Sequence, residues 1–498
     1  MSTVSDLVGS LASSESVTGV LQDLQALIGN LSETEIRREA SEIDVVPLFV
    51  HLDSDMTSLM IKKVWRSFGT KSILTKLGSK LSELISATTS RGLGKELLFC
   101  CLEDSVQTES GIDCIITAGL FDFILDSLSD EDLSCAQTGS KLLTAASLLG
   151  AGLNALFTAD RVQKMNDIAS CSDTVKYRVF ALCVDIATSS DQGFECCVTT
   201  GIFAGLLQDL DCDDVLLQLN CIELLGKLAT SQRGFAYLKD AGVLNKLTNM
   251  LAQWPLDPFL SFVTQGVIRF FGNLCLSAPQ SVKTICTEHP IFLSTVLAKL
   301  QKSDGSVIGI AIDTIGMLGS TDMGRSVLQG TPNNGQDFIR SMGRIMESSE
   351  SPIRIRCIEA LSSLFKNIDA SDSSSEITHS WYLVLHDHPM QIILSIASQP
   401  FDDIHAAGLK LLTSIASNTW GLQQIQACPG LLEYCLDRST ENTKTGKELK
   451  YRLISTMVDT DNALGVLGMP VMLQLKMYVR DGPFHTTAQS TITMESSN

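Results

Sequence analysis

Charge is scarce in this chain: Asp, Glu, Lys and Arg make up only 19% of its 498 residues, and only 12 are proline. Charge is normally nearer a quarter, and few prolines leave helices uninterrupted. No apolar run approaches the roughly 18 residues of a spanning helix, so no membrane partner is predicted. No Lys or Arg precedes Arg37, and a signal peptide, which needs a basic head, is not expected. Dense basic clusters are missing as well, and 37 cations against 56 anions leave a net charge of −19. That balance excludes a phosphate backbone as ligand, and hence nucleic acid, while admitting a basic protein partner. The 15 cysteines include no C-x-x-C pair. Cys100–Cys101 and Cys196–Cys197 are adjacent, and Cys183, Cys221, Cys275 and Cys357 fall on apolar helical faces. An odd count in this pattern predicts buried, reduced thiols of a cytoplasmic or nuclear protein.

What the chain does have is apolar content, 44% by composition, and self-similarity. Residues 118–128 read AGLFDFILDSL, 200–210 TGIFAGLLQDL and 241–251 AGVLNKLTNML. Their glycines, Gly119, Gly201 and Gly242, stand 82 and then 41 residues apart. The copy missing between the first two is predicted at Asp160, and later copies at Pro290 and Gly430. A second motif interleaves on the same period: an acidic or Ser/Thr cap, an apolar helix, then a small polar turn ending in glycine. Asp213-Asp214 precede Val215–Leu228 and Gly234, and Ser172-Asp173 precede Val175–Ile186 and Gly193. Ser351-Pro352, an N-cap before a first-turn proline, precede Ile353–Leu364. Ile222, Leu225 and Leu228 recur every three residues, so one face is buried.

A period near 41 residues is that of armadillo and HEAT repeats. Such units bury their apolar faces only against their neighbours. The predicted fold is therefore an all-α, armadillo/HEAT-like helical-repeat solenoid, curved, occupying 96–485. Residues 1–95 are expected to form degenerate repeats or a cap, and 486–498 a disordered tail. Trp254–Phe259 reads as an insertion, and Asp369–Ser375 and Ser439–Glu448 as loops.

Catalytic motifs are thin. Gly150–Ala155 (GAGLNA) matches a loose dinucleotide fingerprint but follows a helix at a repeat turn, where the motif requires a strand. Gly69-Thr-Lys-Ser72 lacks the upstream glycine of a phosphate loop, because position 66 is Arg. His379, His386 and His388 with Asp387 could gather a metal, yet they also suit a polar helix end closing at Pro389. No enzymatic activity, cofactor or metal is predicted.

A partner is expected on the last helix of each repeat, which lines the concave side of an armadillo array. Aligned on their final apolar residues (Leu228, Leu274, Leu318, Leu364, Ile415), these helices carry Lys227, Asn273, Met317, Ser363 and Ser414 one place earlier. Four residues before those come Glu223, Arg269, Asp313, Glu359 and Lys410, on the same helical face. The candidate protein-binding residues are Glu223, Lys227, Arg269, Asn273, Asp313, Glu359 and Lys410. Their mixture of acid, base and amide suits a folded protein surface. Import receptors of armadillo type, the main rival as adaptors for other cargo, carry Trp and Asn ladders; here only Asn273 fits such a row.

Some segments go beyond generic repeats. Asp257–Phe262 (DPFLSF), Arg269–Leu274 (RFFGNL), Ile310–Ser320 (IAIDTIGMLGS), Ile355–Leu364 (IRCIEALSSL) and Ser398–Phe401 (SQPF) stand in one order. With Lys176–Val179 (KYRV) and Asp481–Phe484 (DGPF) they closely resemble the 26S proteasome non-ATPase regulatory subunit 5 family. The likeness runs from about residue 20 to 485 and is most specific between 240 and 420. It implies a chaperone for assembly of the base of the proteasome regulatory particle. Such a chaperone holds the C-terminal domain of one ATPase subunit, in a module with a neighbouring ATPase and the largest non-ATPase scaffold subunit. It is absent from the finished particle, so the contact must be reversible, and it is expected to be monomeric outside the complex.

Overall fold

The computed structural model describes residues 4–11, 17–40, 44, 46–49, 61–66, 92–253, 261–301, 305–368 and 372–485. Among them there is no strand and every regular element is a helix; the chain divides into two compact units, Met1–Tyr237 and Leu238–Asn498. The expected insertion at Trp254–Phe259, the Gly69–Ser72 segment and the 486–498 tail lie outside the described residues.

Each repeat is one long helix followed by two shorter ones. From residue 92 onward, the helices that lead the repeats of the first unit are α1 (Gly92–Leu102), α2 (Leu133–Ser147), α3 (Asp173–Ser189) and α4 (Val215–Leu228). Those of the second are α5 (Ser261–Ser277), α6 (Gly305–Gly319), α7 (Ser351–Phe365), α8 (Asp402–Ala416) and α9 (Lys444–Asp459), followed by α10 (Ala463–Asp481). Within each unit, successive long helices pack side by side. Their starts lie 40 to 42 residues apart between α2 and α4, but 42 to 51 apart between α5 and α9. The widening over the expected 41 comes from longer second and third helices: Pro332–Gly335 adds a 3-10 turn before Gln336–Ser348, and Asp372–Leu385 runs 14 residues.

The two sequence motifs correspond to two steric requirements. Gly119, Gly201, Gly242 and Gly430 each open a repeat's last helix at φ between 73° and 81°, where a Cβ would clash with the backbone. Gly335 does the same, a copy the sequence pattern had not disclosed. At Pro290 and Pro389 the chain instead enters the helix with proline in the first turn, which needs no N–H there. The copy expected near Asp160 is the helix Ala159–Ala169.

The second glycine answers close approach. A Cβ on Gly234 would lie 2.0 Å from the Leu228 carbonyl oxygen, and one on Gly324 1.9 Å from that of Leu318. Three residues upstream, Ser231 and Thr321 accept the N–H of the same glycines at 3.0 and 3.1 Å, capping the short helix. Ser/Thr-x-x-Gly thus both starts a helix and allows it to rest on the end of the long helix before it. The caps expected at Ser172 and Asp214 are present: Ser172 accepts from Val175, and Asp214 from Leu216 and Leu217.

Three expectations are corrected. Ser351 is not a cap but the first residue of α7, one place earlier than predicted, with Glu350 O closing the first turn on Arg354 N. Of Asp369–Ser375, residues 372–375 are helical, held because Ser374 is buried beneath Arg325. Most of Ser439–Glu448 is also ordered: Asp437 caps a 3-10 turn at Arg438–Thr440, and Thr443 caps α9 from Lys444.

Within each unit, polar bridges join neighbouring repeats. Arg325, only 2% exposed, donates from Nε to Gly319 O (2.8 Å), from one terminal nitrogen to Ser374 Oγ (2.9 Å), and from the other to Ser363 O (3.1 Å) and Lys366 O. It therefore ties together the C-terminal ends of α6 and α7, where carbonyls carry the negative end of the helix dipole. One repeat on, Asn418 donates to Phe365 O at 2.8 Å and Ser414 O at 3.1 Å, and Thr460 donates to Ala416 O at 2.8 Å. In the first unit Tyr177 donates to Leu217 O at 2.7 Å, and Arg161 grips Asp122 at 2.8 and 3.1 Å.

Candidate protein-binding site

The long helices bury one face and present another, and the structure places five of the seven candidate residues plainly outward. In the first unit Glu223 and Lys227 of α4 are exposed; in the second, Arg269 of α5, Glu359 of α7 and Lys410 of α8 are exposed and Asp313 of α6 is partly exposed. Asn273 is half-buried. Ser414, aligned into the same row, is only 9% exposed, so the row does not continue evenly onto α8.

Several candidates pair with the adjacent long helix. Lys227 of α4 meets Asp185 of α3. Arg356 of α7 grips Asp313 of α6 through both carboxylate oxygens, Nε lying 3.1 Å from Oδ1, and Lys410 of α8 meets Glu359 of α7 at 3.1 Å. The Asp313 carboxylate, by its hydrogen bond, raises the Arg356 guanidinium above its already high value. All three pairs are open to solvent on both sides, so each is worth about 1 kcal/mol or less and can be exchanged for a partner's charges. Arg269 and Glu223, by contrast, make no hydrogen bond or ion pair among the described residues.

Between α5, α6 and α7 these residues rim a shallow cavity of about 300 Å³ lined by Leu276, Gly316, Met317, Ala360 and the Asp313–Arg356 pair. Its floor exists because α6 and α7 nearly touch: a Cβ on Gly316 would sit 3.0 Å from Ala360 Cα and Cβ. Leu276 beside it is 47% exposed, and Phe262 on the same helix 63%.

The sequence alignment missed Asp185, Arg356 and Leu276. Asp185 immediately precedes Ile186, the carbonyl that Gly193 approaches, so aligning by that glycine would have placed it in the row of Lys227. Arg356 lies three residues before Glu359, on the same helical face.

Features that hinted at chemistry have structural roles. The Gly150-Ala151 amides that a dinucleotide phosphate would need both donate at 3.0 Å to the Glu109 carboxylate of the preceding repeat. Gly152 is there because a Cβ would lie 2.1 Å from Ala146 O. His379 stacks on Trp420 with ring centroids 5.3 Å apart, His386 accepts the His388 amide at 2.9 Å, and His388 precedes the proline-led helix. Among the described residues no three His, Cys, Asp or Glu side chains gather as metal ligands, and no helix is long and apolar enough to cross a membrane. Trp65, Trp381 and Trp420 are buried, so none joins an exposed ladder.

One titratable cluster is buried. His405 of α8 lies 2.8 Å from Glu441, and Lys450 of α9, fully buried, donates to Asp437 O at 2.7 Å and faces Glu441 at 3.7 Å. Tyr434 closes it, donating to Ala397 O at 2.6 Å beneath the Lys450 ammonium. The hydrogen bond to Glu441 raises the His405 imidazole, while burial lowers the Lys450 ammonium. Burial pushes the Glu441 carboxyl up, but His405, Lys450 and Tyr434 outweigh it and hold it below the usual range.

The comparisons extend over the whole chain. It is 32% identical over 493 residues to the 26S proteasome non-ATPase regulatory subunit 5 of Bos taurus, and 31% identical over 498 residues to that of Homo sapiens, with 96% of each chain covered in both cases. Among solved structures an engineered protein aligns over 88% of this chain and 99% of its own, at 15% identity and a TM-score of 0.43. The family model described as "Proteasome non-ATPase 26S subunit" matches residues 2–498, and the chain belongs to that family.

Proposed function

We propose that this protein is an assembly chaperone for the base of the proteasome regulatory particle. It holds the C-terminal domain of an ATPase subunit on the exposed faces of its long helices, alongside a neighbouring ATPase and the largest non-ATPase scaffold subunit. While bound it shields the ATPase from premature docking onto the core particle. The observation that carries this reading is family membership along essentially the whole chain. Binding rather than catalysis is supported by outward rows of mixed charge whose own ion pairs are weak and exchangeable. Release then requires only a contact that competes for the same surface. The buried tryptophans speak against a transport receptor with an exposed Trp ladder.

Affinity capture from lysate tests the proposal. Tagged protein should recover proteasome ATPases without core-particle subunits, and their absence would remove the reading. Charge reversal at Glu223 and Arg269 should weaken capture while helicity is retained; unchanged capture would move the contact to another surface.

A further inference from the structure

The exposed face of α5 has the spacing of a helix-packing seam. Phe262, Gly266, Arg269, Asn273 and Leu276 follow one another at intervals of four, three, four and three residues, and each is at least partly exposed. That alternation keeps one stripe facing a neighbouring helix crossed at a shallow angle. The stripe is apolar at both ends, Phe262 and Leu276 being 63% and 47% exposed. At its centre are a cation and an amide. Arg269 makes no hydrogen bond or ion pair among the described residues, although this chain carries 19 more acids than bases and its other outward-facing cations on α7 and α8 are paired. Beside Leu276 the seam opens into the cavity floored by Gly316 and Ala360, large enough for one apolar side chain.

We propose that α5 is one half of a helix pair whose other half is supplied by the partner: an amphipathic helix with a central carboxylate. That carboxylate meets Arg269. Apolar residues about two turns to either side lie on Phe262 and beside Leu276, the latter entering the cavity. From residue 262 to 276 the seam is about 21 Å long, so the occupant needs roughly four turns. A polar pair in the middle of such a seam sets register at a cost in stability, and an exposed ion pair offsets part of that cost. The proposal rests on the partner-binding role given above and names the partner element that role requires.

The probe is a fluorescein-labelled synthetic helix of about four turns, with leucines seven residues to either side of a central Glu, and a second peptide with Lys at that centre. Anisotropy titration of the full-length protein should favour the Glu peptide by about fivefold, the size of an exposed ion pair. In Arg269→Glu the preference should invert, and Phe262→Ser should weaken both peptides equally. Equal binding of the two peptides, or a preference unmoved by Arg269→Glu, overturns the proposal. The functional reading is judged separately by lysate capture. Wild-type capture of ATPases with no peptide preference refutes the seam alone. Peptide preference without ATPase capture leaves the seam intact and removes the chaperone role. Arg269 and Phe262 are surface residues, and unchanged far-UV circular dichroism confirms that both variants are folded.

Discussion

Replacing Arg325 by alanine should uncouple two consecutive repeats. The guanidinium is charged at neutral pH even though burial lowers it to about 10, and it is the donor facing Gly319 O, Ser363 O, Lys366 O and Ser374 Oγ. Truncation leaves three helix-end carbonyls without a partner, each worth about 1–3 kcal/mol if it stays dry. Water entering the vacated space recovers part of that. A net loss of about 3–5 kcal/mol follows, as for removal of one member of a buried charged network. Repeat arrays unfold by local opening, so the loss should be confined to the neighbourhood. Amides of α6, α7 and the helix Asp372–Leu385 should exchange about a hundredfold faster or more in hydrogen–deuterium exchange, while those of the first unit are unchanged. Arg325→Lys should fall between, because an ammonium keeps the charge but cannot reach all four acceptors. Exchange in α6 and α7 within about threefold of wild type would refute the idea that this one side chain clamps the two helix ends.

Three further outcomes follow from the same geometry. Gly324→Ala places a methyl 1.9 Å from Leu318 O and should cost about 1–3 kcal/mol in thermal denaturation; an unshifted melt would show that the short helix can move aside freely. His405 is raised by Glu441, so its stabilisation is full below the unfolded value of about 6.5 and is lost as pH climbs through the folded one. Urea midpoints should therefore fall across that window in wild type and flatten in His405→Gln, and an equally steep fall in the variant would reject the assignment. A double-mutant cycle at Glu359 and Lys410 should give a coupling of about 1 kcal/mol or less that fades with salt. A larger, salt-insensitive value would mean the pair is held rigidly.

The parts of this fold legible in the sequence were those set by near neighbours in the chain. A left-handed entry at Gly201 or Gly242, and the caps at Ser172 and Asp214, depend on a few consecutive residues, so they recur with the repeat and can be read from it. Arg325, Glu109 and Lys450 find their partners outside their own helix turn, and nothing local distinguishes them from surface charges. Ser374 looked like loop for the same reason: its burial comes from an arginine 49 residues away. The outward rows at Arg269, Asp313 and Glu359 were readable because exposure follows from helical phase. The pairing of Asp313 with Arg356 and of Glu359 with Lys410 was not, since it depends on the relative height of adjacent helices, which glycines such as Gly316 determine by letting backbones approach.

Most of the bridges that hold each unit together span about one repeat: Glu109 reaches 41 residues to Gly150, Tyr177 40 to Leu217, and Thr460 44 to Ala416. No closure in that set waits for a distant stretch of polypeptide. On the ribosome, a module can dock as soon as its immediate successor has emerged, and its apolar flank stays bare only for the time needed to synthesise some forty residues, a few seconds at ordinary elongation rates.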